Sequence, residues 1–374
     1  MVEIIKVTTK KEQKEFIEFP LRMYRDCPYF VPPLYSSEKA IFKKNYVYRD
    51  TCEDVFFLAK KDGKTVGRIS AILQKASNEK TGKKRVRFTR FDSVNDIEVA
   101  KALFAAAEGW ALEKGMDTVC GPLGYSDLER EGLLIEGFDQ LSTFEEQYNY
   151  DYYQTLIEAC GYEKEVEWVE SKLMKPKEDD AKLKSLTEFV LKRYDLHIGE
   201  AKSINDFIKK YADEMFDVLD ESYKDIYGTV PFTDATRKMM IDNFKLIVDV
   251  KHVAVILDKN DRVVCFGICF PSLAKAVQKS GGRLTVPTLL KILKALKKPE
   301  IVDLALIGVT PEYMNKGVAT VFMAKILEML DEPSVKFIET NLNLEENYSI
   351  RNHWKRFDSV EHKRRRAYVK KISG

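Results

Sequence analysis

Segment 304–320 combines a predicted buried strand, a short loop and the start of a helix, and it reads Leu-Ala-Leu-Ile-Gly-Val-Thr-Pro-Glu-Tyr-Met-Asn-Lys-Gly-Val-Ala-Thr. Free N–H groups in the first turn of a helix, together with the helix dipole, favour a bound phosphate. Gly317 lets a ligand approach the backbone, Ala319 keeps the first turn uncrowded and Lys316 adds a positive charge. The segment therefore predicts a phosphate-binding site at the entrance of this helix.

Other patterns of chemically active residues are missing from the sequence. It contains no GxxxxGK[ST] and no GxGxxG, so the usual nucleoside-triphosphate and dinucleotide loops are excluded. The four histidines are scattered without ligand spacing and the six cysteines include no CxxC pair, so we expect no metal. Neither HExxH nor GxSxG occurs, which leaves zinc-protease and serine-hydrolase functions without support.

The composition is that of a globular protein of two domains. The chain has 374 residues, of which 45% are hydrophobic and 32% charged. Its 61 basic and 59 acidic residues leave a net charge of +2, so no overall field attracts DNA or RNA. No apolar stretch approaches the ~20 residues of a membrane span. Because the N-terminus lacks the features of a signal peptide, we expect a cytoplasmic protein with reduced thiols.

The elements that position the predicted site belong to an order that occurs twice. Residues 4–17 and 196–208 each predict a strand, a polar cap and an amphipathic helix. Hairpins over 55–72 and 253–270 follow at nearly the same offset. Each half then continues with a strand, a helix, a strand, a short helix and a last strand. We therefore expect domains at 1–175 and 195–374, joined by a linker at 176–194.

With this order, the sequence resembles the GNAT superfamily, the Gcn5-related acyltransferases that use acyl-CoA, and most of all its tandem bacterial members. The superfamily signature is Arg or Gln, two residues, Gly, one residue, then Gly or Ala. The matching residues here are Met314, Asn315, Lys316, Gly317, Val318 and Ala319. The glycine and alanine match, whereas Met314 replaces the Arg or Gln. The resemblance implies an α/β fold of the α+β type with two tandem GNAT-like domains, each a mixed, mostly antiparallel sheet flanked by helices.

The resemblance also implies acyl-CoA, in the first place acetyl-CoA, as co-substrate, and no metal. The residues that it assigns to the CoA site are Ile307, Gly308, Val309, Met314, Asn315, Lys316, Gly317, Val318, Ala319, Thr320 and Asn347. Two strands are expected to separate there and present backbone N–H groups to the thioester oxygen. The matching loop of the first half, residues 93–100, has no glycine and two acidic residues. We therefore expect one CoA site, in the second half.

An acyl acceptor with a lysine-like amine must lose a proton before it attacks, which costs about 4–5 kcal/mol at pH 7. The resemblance matches Glu339 to a position that serves as the base in some GNAT enzymes, although a carboxylate there is also typical of a surface residue. The tyrosine that usually donates a proton is replaced by Trp354, which cannot do so. Tyr348 and Tyr313 are the alternative donors.

Three charged segments bear on partners. Residues 121–147 carry seven acidic residues and one arginine, which suits either a cationic amine acceptor or a solvated face. Residues 287–298 predict a cationic amphipathic helix that packs on its own domain or lies on a membrane or a partner. The basic run 363–366 belongs to a terminal strand and is expected at a solvated edge.

The sequence thus predicts an acyl-CoA-dependent N-acyltransferase, with acetyl transfer to an amine as the expected reaction, in a monomer or homodimer. One alternative is a catalytically inactive acyl-CoA-binding protein, and another is a scaffold with a vestigial site. A third is an aminoacyl-tRNA-dependent transferase of the tandem-GNAT type, against which the near-zero net charge argues.

Overall fold

The computed structural model describes residues 1–176 and 181–373; residues 177–180, inside the predicted linker, lie outside the described residues. The strands are β1 (Glu3–Lys6), β2 (Cys52–Lys61), β3 (Lys64–Gln74), β4 (Arg85–Ser93), β5 (Thr118–Gly121), β6 (Leu133–Glu136), β7 (Glu163–Met174), β8 (His197–Ile198), β9 (Val253–Leu257), β10 (Val263–Pro271), β11 (Ile301–Val309), β12 (Phe337–Thr340), β13 (Asn343–Leu344) and β14 (Asp358–Lys371). The helices are α1 (Lys10–Met23), α2 (Tyr35–Ala40), α3 (Lys75–Thr81), α4 (Ile97–Glu113), α5 (Tyr152–Ala159), α6 (Ala181–Arg193), α7 (Ile204–Ser222), α8 (Asp234–Ile247), α9 (Ala274–Gln278), α10 (Val286–Lys297), α11 (Ala319–Leu330) and α12 (Tyr348–Trp354).

The chain forms two compact units. Unit 1 comprises Met1–Val169, Leu273–Leu290 and Lys363–Gly374, and unit 2 comprises Glu170–Ser272 and Lys291–His362. In unit 1, strands β1 to β5 follow one another across the sheet and β14 pairs with β5. The pair β4–β5 is parallel, and the other pairs of this series are antiparallel.

Unit 2 repeats this plan. Its strand order is β8-β9-β10-β11-β12-β7, in which β11–β12 is parallel and the other pairs are antiparallel. Both units therefore contain a first strand and helix, a hairpin, a parallel strand–helix–strand and a short helix. The predicted duplication and the predicted mixed, mostly antiparallel α+β class are confirmed.

The two halves also begin in the same way locally. Thr9 accepts a hydrogen bond from the Glu12 amide at 3.3 Å, and the Glu12 carboxylate accepts from the Thr9 amide at 2.8 Å, which forms a capping box. In the second half, the Ser203 hydroxyl accepts from the Asp206 amide at 3.2 Å. These caps fix where α1 and α7 begin after the first strand of each half.

Helix α11 packs on one face of the sheet of unit 2. Gly267 on β10 makes this close packing feasible, because a Cβ there would lie 2.3 Å from the Phe322 ring of α11. The opposite face carries Phe266 and Ile268, which point toward α7 and α8. The site described below lies at the edge of β11 that β12 leaves uncovered.

The basic run 363–366 lies in the C-terminal strand β14, and the prediction that it forms a solvated edge is wrong. Lys363 and Arg365 are buried, with 2% and 0% of their surface exposed. The reason is that Arg364 to Arg366 pair with β6, and the residues that follow, Tyr368 to Lys371, pair with β5. Sequence periodicity alone does not reveal such pairing, because the partners lie more than 200 residues away.

The basic run and the acidic segment 121–147 compensate each other within unit 1. Arg365 lies 4.0 Å from Glu146, and Arg364 lies 3.7 Å from Glu136. Glu129 accepts hydrogen bonds from the Tyr46 hydroxyl at 2.9 Å and the Tyr125 amide at 3.2 Å. Glu129, Glu136 and Glu146 are therefore engaged within unit 1, and a cationic acceptor for this segment stays a prediction.

A buried histidine in unit 2 predicts acid sensitivity. His252 is 1% exposed, and neither ring nitrogen has a hydrogen-bond partner among residues 1–176 and 181–373. Burial, helped by the nearby Lys251 charge, lowers the pKa of His252 from 6.5 to about 4. Between these values the unfolded chain binds the proton and the folded chain does not, so stability falls as pH falls from about 6.5 toward 4.

We expect His252 to lower the free energy of unfolding by roughly 2 kcal/mol at pH 5, because at this pH the histidine is charged only when the chain is unfolded. His252→Phe removes the titrating group, so its unfolding free energy should fall less than that of the wild type between pH 7 and pH 5. Urea unfolding at the two pH values measures the difference. Between pH 7 and 8 the two proteins should change in parallel. Identical acid sensitivity of both proteins would contradict the assignment.

Candidate active site

Strands β11 and β12 run side by side and then separate. Ile301 to Leu304 pair with Phe337 to Thr340, after which β12 ends and β11 continues to Val309. At the point of separation the Asn341 amide donates to the Leu304 carbonyl at 3.1 Å. Beyond it, residues 305–309 of β11 have an edge that β12 does not cover.

The direction of the backbone groups on this edge follows from the pairing with β10. The Thr310 amide donates to the Val264 carbonyl at 3.0 Å, so every second residue before it faces β10 as well. The polar groups of Ile307 and Val309 therefore face the open edge. In agreement, the Tyr223 hydroxyl donates to the Ile307 carbonyl from that side at 3.0 Å. This leaves the Ile307 and Val309 amides directed at the space where the strands separate.

A bulge in β11 changes which side chains face each side of the sheet. Ile268 pairs with Leu306 and Cys269 with Leu304, so Ala305 is an extra residue on β11. Gly308 is explained by packing, because a Cβ there would lie 2.5 Å from Phe266 Cε1. The bulge thus directs Leu306 toward α7 and α8 and leaves the glycine to fit against the aromatic ring.

The predicted phosphate loop leads from β11 into α11. No side chain caps the start of this helix, where Val318 is the N-cap residue, and its first turn contains no acidic residue. Gly317 has φ +74°, a left-handed conformation that favours glycine. A Cβ at Gly317 would meet only ordinary contacts, with Val190 at 3.7 Å and Thr320 at 3.9 Å. No side chain of the described residues therefore competes with an anion for the backbone amides at this turn.

The corresponding helix of unit 1 differs in this respect. Asp96 caps α4, and its carboxylate accepts from the Glu98 amide at 3.0 Å. The same carboxylate forms an ion pair with Lys61 at 3.0 Å. A carboxylate thus already occupies the position that a phosphate would take. One CoA site, in the second half, stays a prediction.

The side chains of the loop make different contributions. Met314 and Asn315 are exposed, whereas Val318 and Thr320 are buried, and the Thr320 amide donates to the Gly317 carbonyl at 3.0 Å. Lys316 Nζ lies 4.4 Å from the centre of the Tyr313 ring and 3.8 Å from Glu312. Burial raises the pKa of Tyr313 above its usual value. Main-chain amides and Lys316 are therefore the groups here that fit a diphosphate.

Glu339 lies at the end of β12, where the strands separate, and it is 5% exposed. Its Oε1 atom is 3.2 Å from His362 Nε2, and both side chains are buried. The ring is not aligned for a hydrogen bond with this carboxylate. Asp303 is in register with Glu339 on the neighbouring strand and points to the same side of the sheet. This histidine–carboxylate pair was not predicted, because His362 is distant in sequence and belongs to no motif.

The other predicted residues near α12 lie in different surroundings. Asn347 accepts from the Ile350 amide at 3.3 Å and so caps this helix. Tyr348, the predicted proton donor, is 66% exposed. Trp354 is buried, and its indole N–H donates to the Asn343 side chain at 2.7 Å. The structure therefore does not bring Tyr348 into the buried surroundings of Glu339, whereas it places the Tyr223 hydroxyl on the open edge.

An apolar cavity lies between the sheet of unit 2 and its covering helices. Its empty volume is about 510 Å³, a value that includes space open to solvent. It is lined by hydrophobic side chains throughout, among them Phe207, Met215 and Leu219 of α7, Met240 and Phe244 of α8, and Leu306 of β11. Leu219 lies one helical turn before Tyr223, and Leu306 precedes Ile307. The cavity therefore adjoins the open edge of β11.

These features define a class of protein by its fold. The solved structure of a tandem GNAT protein from the clavulanic acid biosynthesis pathway (without AcCoA) superposes with a TM-score of 0.56 at 10% identity. The match covers 100% of this chain and 99% of that chain. The chain thus has the tandem GNAT fold, with a separated strand pair and a glycine-containing loop in unit 2. No protein-family model matches it.

Two relatives are similar along the sequence. Protein YghO of Escherichia coli (strain K12) is 28% identical over 387 residues, covering 97% of this chain and 94% of the relative. A protein of Caulobacter vibrioides (strain NA1000 / CB15N) named bacterial ceramide synthase is 27% identical over 304 residues, covering 79% and 77%. In the described part of the chain, no helix has the length and apolar character needed to cross a membrane. No group of three or more metal-ligating side chains occurs there either.

Proposed function

We propose that this chain is an acyl-CoA-dependent N-acyltransferase with its donor site in unit 2 and an amine as acceptor. The observation that carries the proposal is the open edge of β11, which leads directly to the uncapped start of α11. The Ile307 and Val309 amides suit a thioester carbonyl, and the amides after Gly317 suit the diphosphate of CoA. The tandem GNAT fold supports this reading of the two features together.

The reaction joins the amine nitrogen to the acyl carbon and breaks the carbon–sulfur bond. The nitrogen of a lysine-like ammonium loses two protons in all. The second leaves as the amide forms and is taken up by the CoA thiolate or by solvent, whereas the first must leave before the nitrogen can attack. We assign its removal to Glu339, which lies one residue before the end of β12, near the separation of the strands, and beside His362. The thiol of CoA, with a pKa near ~8.5, departs as a thiolate at small cost, so a dedicated proton donor is not required. Tyr223 orients the open edge through its bond to the Ile307 carbonyl.

The cavity favours a long-chain acyl group over the acetyl group expected from the sequence. A chain attached to a carbonyl at Ile307 would pass Leu306, which lines the cavity, and could be buried among apolar side chains only. Burial of each methylene contributes about 0.8 kcal/mol to the free energy of binding, so a long acyl chain gains affinity there with every methylene that it buries. The name of the Caulobacter relative, a ceramide synthase, agrees with this class, because a ceramide is a long-chain base acylated on nitrogen.

Binding of acyl-CoAs of increasing length tests the donor site without knowledge of the acceptor. We expect acetyl-CoA, octanoyl-CoA and palmitoyl-CoA to raise the melting temperature progressively, since each methylene tightens binding about fourfold until the cavity is full. Ala212→Phe places a ring in the cavity and should abolish the gain from the long chains while acetyl-CoA still binds. Ala235→Phe, at an exposed position of α8, is the matched control.

Release of CoA thiol with a panel of amines, including sphinganine, then tests transfer. If acyl-CoAs of all chain lengths stabilised the protein equally, the cavity would be rejected as the site of a long acyl chain. The protein would then be an N-acyltransferase for short acyl groups. Binding of acyl-CoA without thiol release from any amine would reject the transferase and favour the acyl-CoA-binding alternative. Absence of stabilisation by CoA and by every acyl-CoA would reject the donor site itself. If thiol release depended on the chain length of the amine and not on that of the acyl-CoA, the cavity would be assigned to the acceptor.

A further inference from the structure

Helix α10 exposes an apolar stripe. Val286, Leu289, Leu290 and Leu293 are between 44% and 71% exposed in the described chain. Residues three and four apart lie on the same side of a helix, so these four side chains form one continuous surface. Thr288 is the buried side chain of this helix, which shows that the opposite side faces the protein. The amphipathic helix predicted from the sequence thus directs apolar residues outward.

The charges beside this stripe all have one sign. Lys291, Lys294, Lys297 and Lys298 follow in and directly after the helix, and residues 286–298 contain no acidic residue. A surface that combines exposed leucines with lysines complements an anionic surface with an apolar interior. A second copy of the same helix would bring like charges together, which disfavours self-association.

The start of the helix is held firmly, which a docking element requires. The Thr285 hydroxyl lies 2.9 Å from that of Thr288 at the N-terminal turn. Just before it, Arg283 forms an ion pair with Glu18 at 3.0 Å. Gln278 donates to the carbonyl oxygen of Pro28 at 2.8 Å. These contacts lie within unit 1 and hold the segment that leads into α10, whose residues up to Leu290 belong to unit 1 and whose later residues belong to unit 2.

We propose that α10 binds the surface of an anionic membrane. The stripe 286–293 enters the boundary between headgroups and acyl chains, and the lysines contact lipid phosphates. At twelve residues the helix is far below the ~20 residues of a membrane span, so it lies in the interface. This inference is independent of the chemistry of unit 2.

Flotation with vesicles tests the proposal on the full chain. We expect the wild type to float with vesicles that contain phosphatidylglycerol in phosphatidylcholine and to remain unbound with phosphatidylcholine alone. Leu290→Glu combined with Leu293→Glu should weaken binding at least tenfold. Lys291→Gln combined with Lys294→Gln should weaken it about twenty-five-fold, since each lysine near an anionic surface contributes about fivefold. Raised salt should weaken wild-type binding in the same direction.

Leu246→Glu is the matched control, because Leu246 is 74% exposed and lies on α8. It should bind vesicles like the wild type. Unchanged melting temperatures exclude misfolding of the variants. Absence of wild-type binding to anionic vesicles, or equal binding by the Leu290→Glu, Leu293→Glu variant, would overturn the proposal. A wild-type dimer that this variant dissociates, without vesicle binding, would assign the stripe to self-association.

Discussion

Gly317→Asp is expected to weaken acyl-CoA binding by a hundred- to a thousand-fold. The new carboxylate would stand at the turn whose amides are proposed to bind the diphosphate, at the uncapped start of α11. Two like charges about 4 Å apart near a protein surface repel by about 4 kcal/mol, which corresponds to this loss. Asp96 in unit 1 illustrates the arrangement, because there a carboxylate of the protein itself takes the helix start. Isothermal titration with CoA measures the change.

Two variants separate charge from backbone strain in this experiment. Gly317→Asn has nearly the same shape as Gly317→Asp and tolerates a positive φ, but it adds no charge. Packing should not distinguish them, because only ordinary contacts surround a Cβ at this position. Gly115→Asp, at φ +72° in open space of unit 1, reports the cost of an aspartate in that conformation. Equal loss of affinity for Gly317→Asp and Gly317→Asn would reject the diphosphate site.

The features that could be predicted from the sequence are those that depend on neighbouring residues. The cap formed by Thr9 and Glu12 and the hairpin β2–β3 arise from residues a few positions apart, and their pattern repeats in the second half. Repetition of such local patterns was enough to predict the duplicated order. The glycine loop before α11 belongs to the same category, because strand, loop and helix are consecutive.

Features that depend on distant pairing could not be predicted in this way. Residues 304–307 are a continuous apolar run, Leu-Ala-Leu-Ile, so their periodicity does not reveal the bulge at Ala305 or the side to which Leu306 points. The apolar cavity requires residues from two helices and three strands. The charge of segment 121–147 suggested a wall for ligands, whereas two of its carboxylates, Glu136 and Glu146, lie beside arginines on β14.

Replacement of Glu339 by Gln should lower kcat for a lysine-like amine by about 10²–10⁴-fold, the range typical of a lost general base. The KM for acyl-CoA should change little, because Glu339 lies on β12 and the proposed donor contacts lie on β11 and in the loop before α11. His362→Gln should have a smaller effect, since His362 is proposed to position Glu339 and not to accept the proton itself. Steady-state thiol release with saturating donor gives both constants.

The basicity of the acceptor distinguishes this role from a structural one. An amine whose pKa lies below the assay pH is already neutral and does not need the base, so the defect of Glu339→Gln should shrink with such an amine. The defect should also shrink at pH 10, where a lysine-like amine loses much of its charge. Asp303→Asn is the matched control, because Asp303 is a buried carboxylate in register with Glu339 on the neighbouring strand. Any defect of that variant should not depend on amine pKa. A Glu339→Gln defect of equal size for both kinds of amine would contradict general-base catalysis, since removal of a packing contact weakens the reaction of a neutral amine as much as that of a charged one.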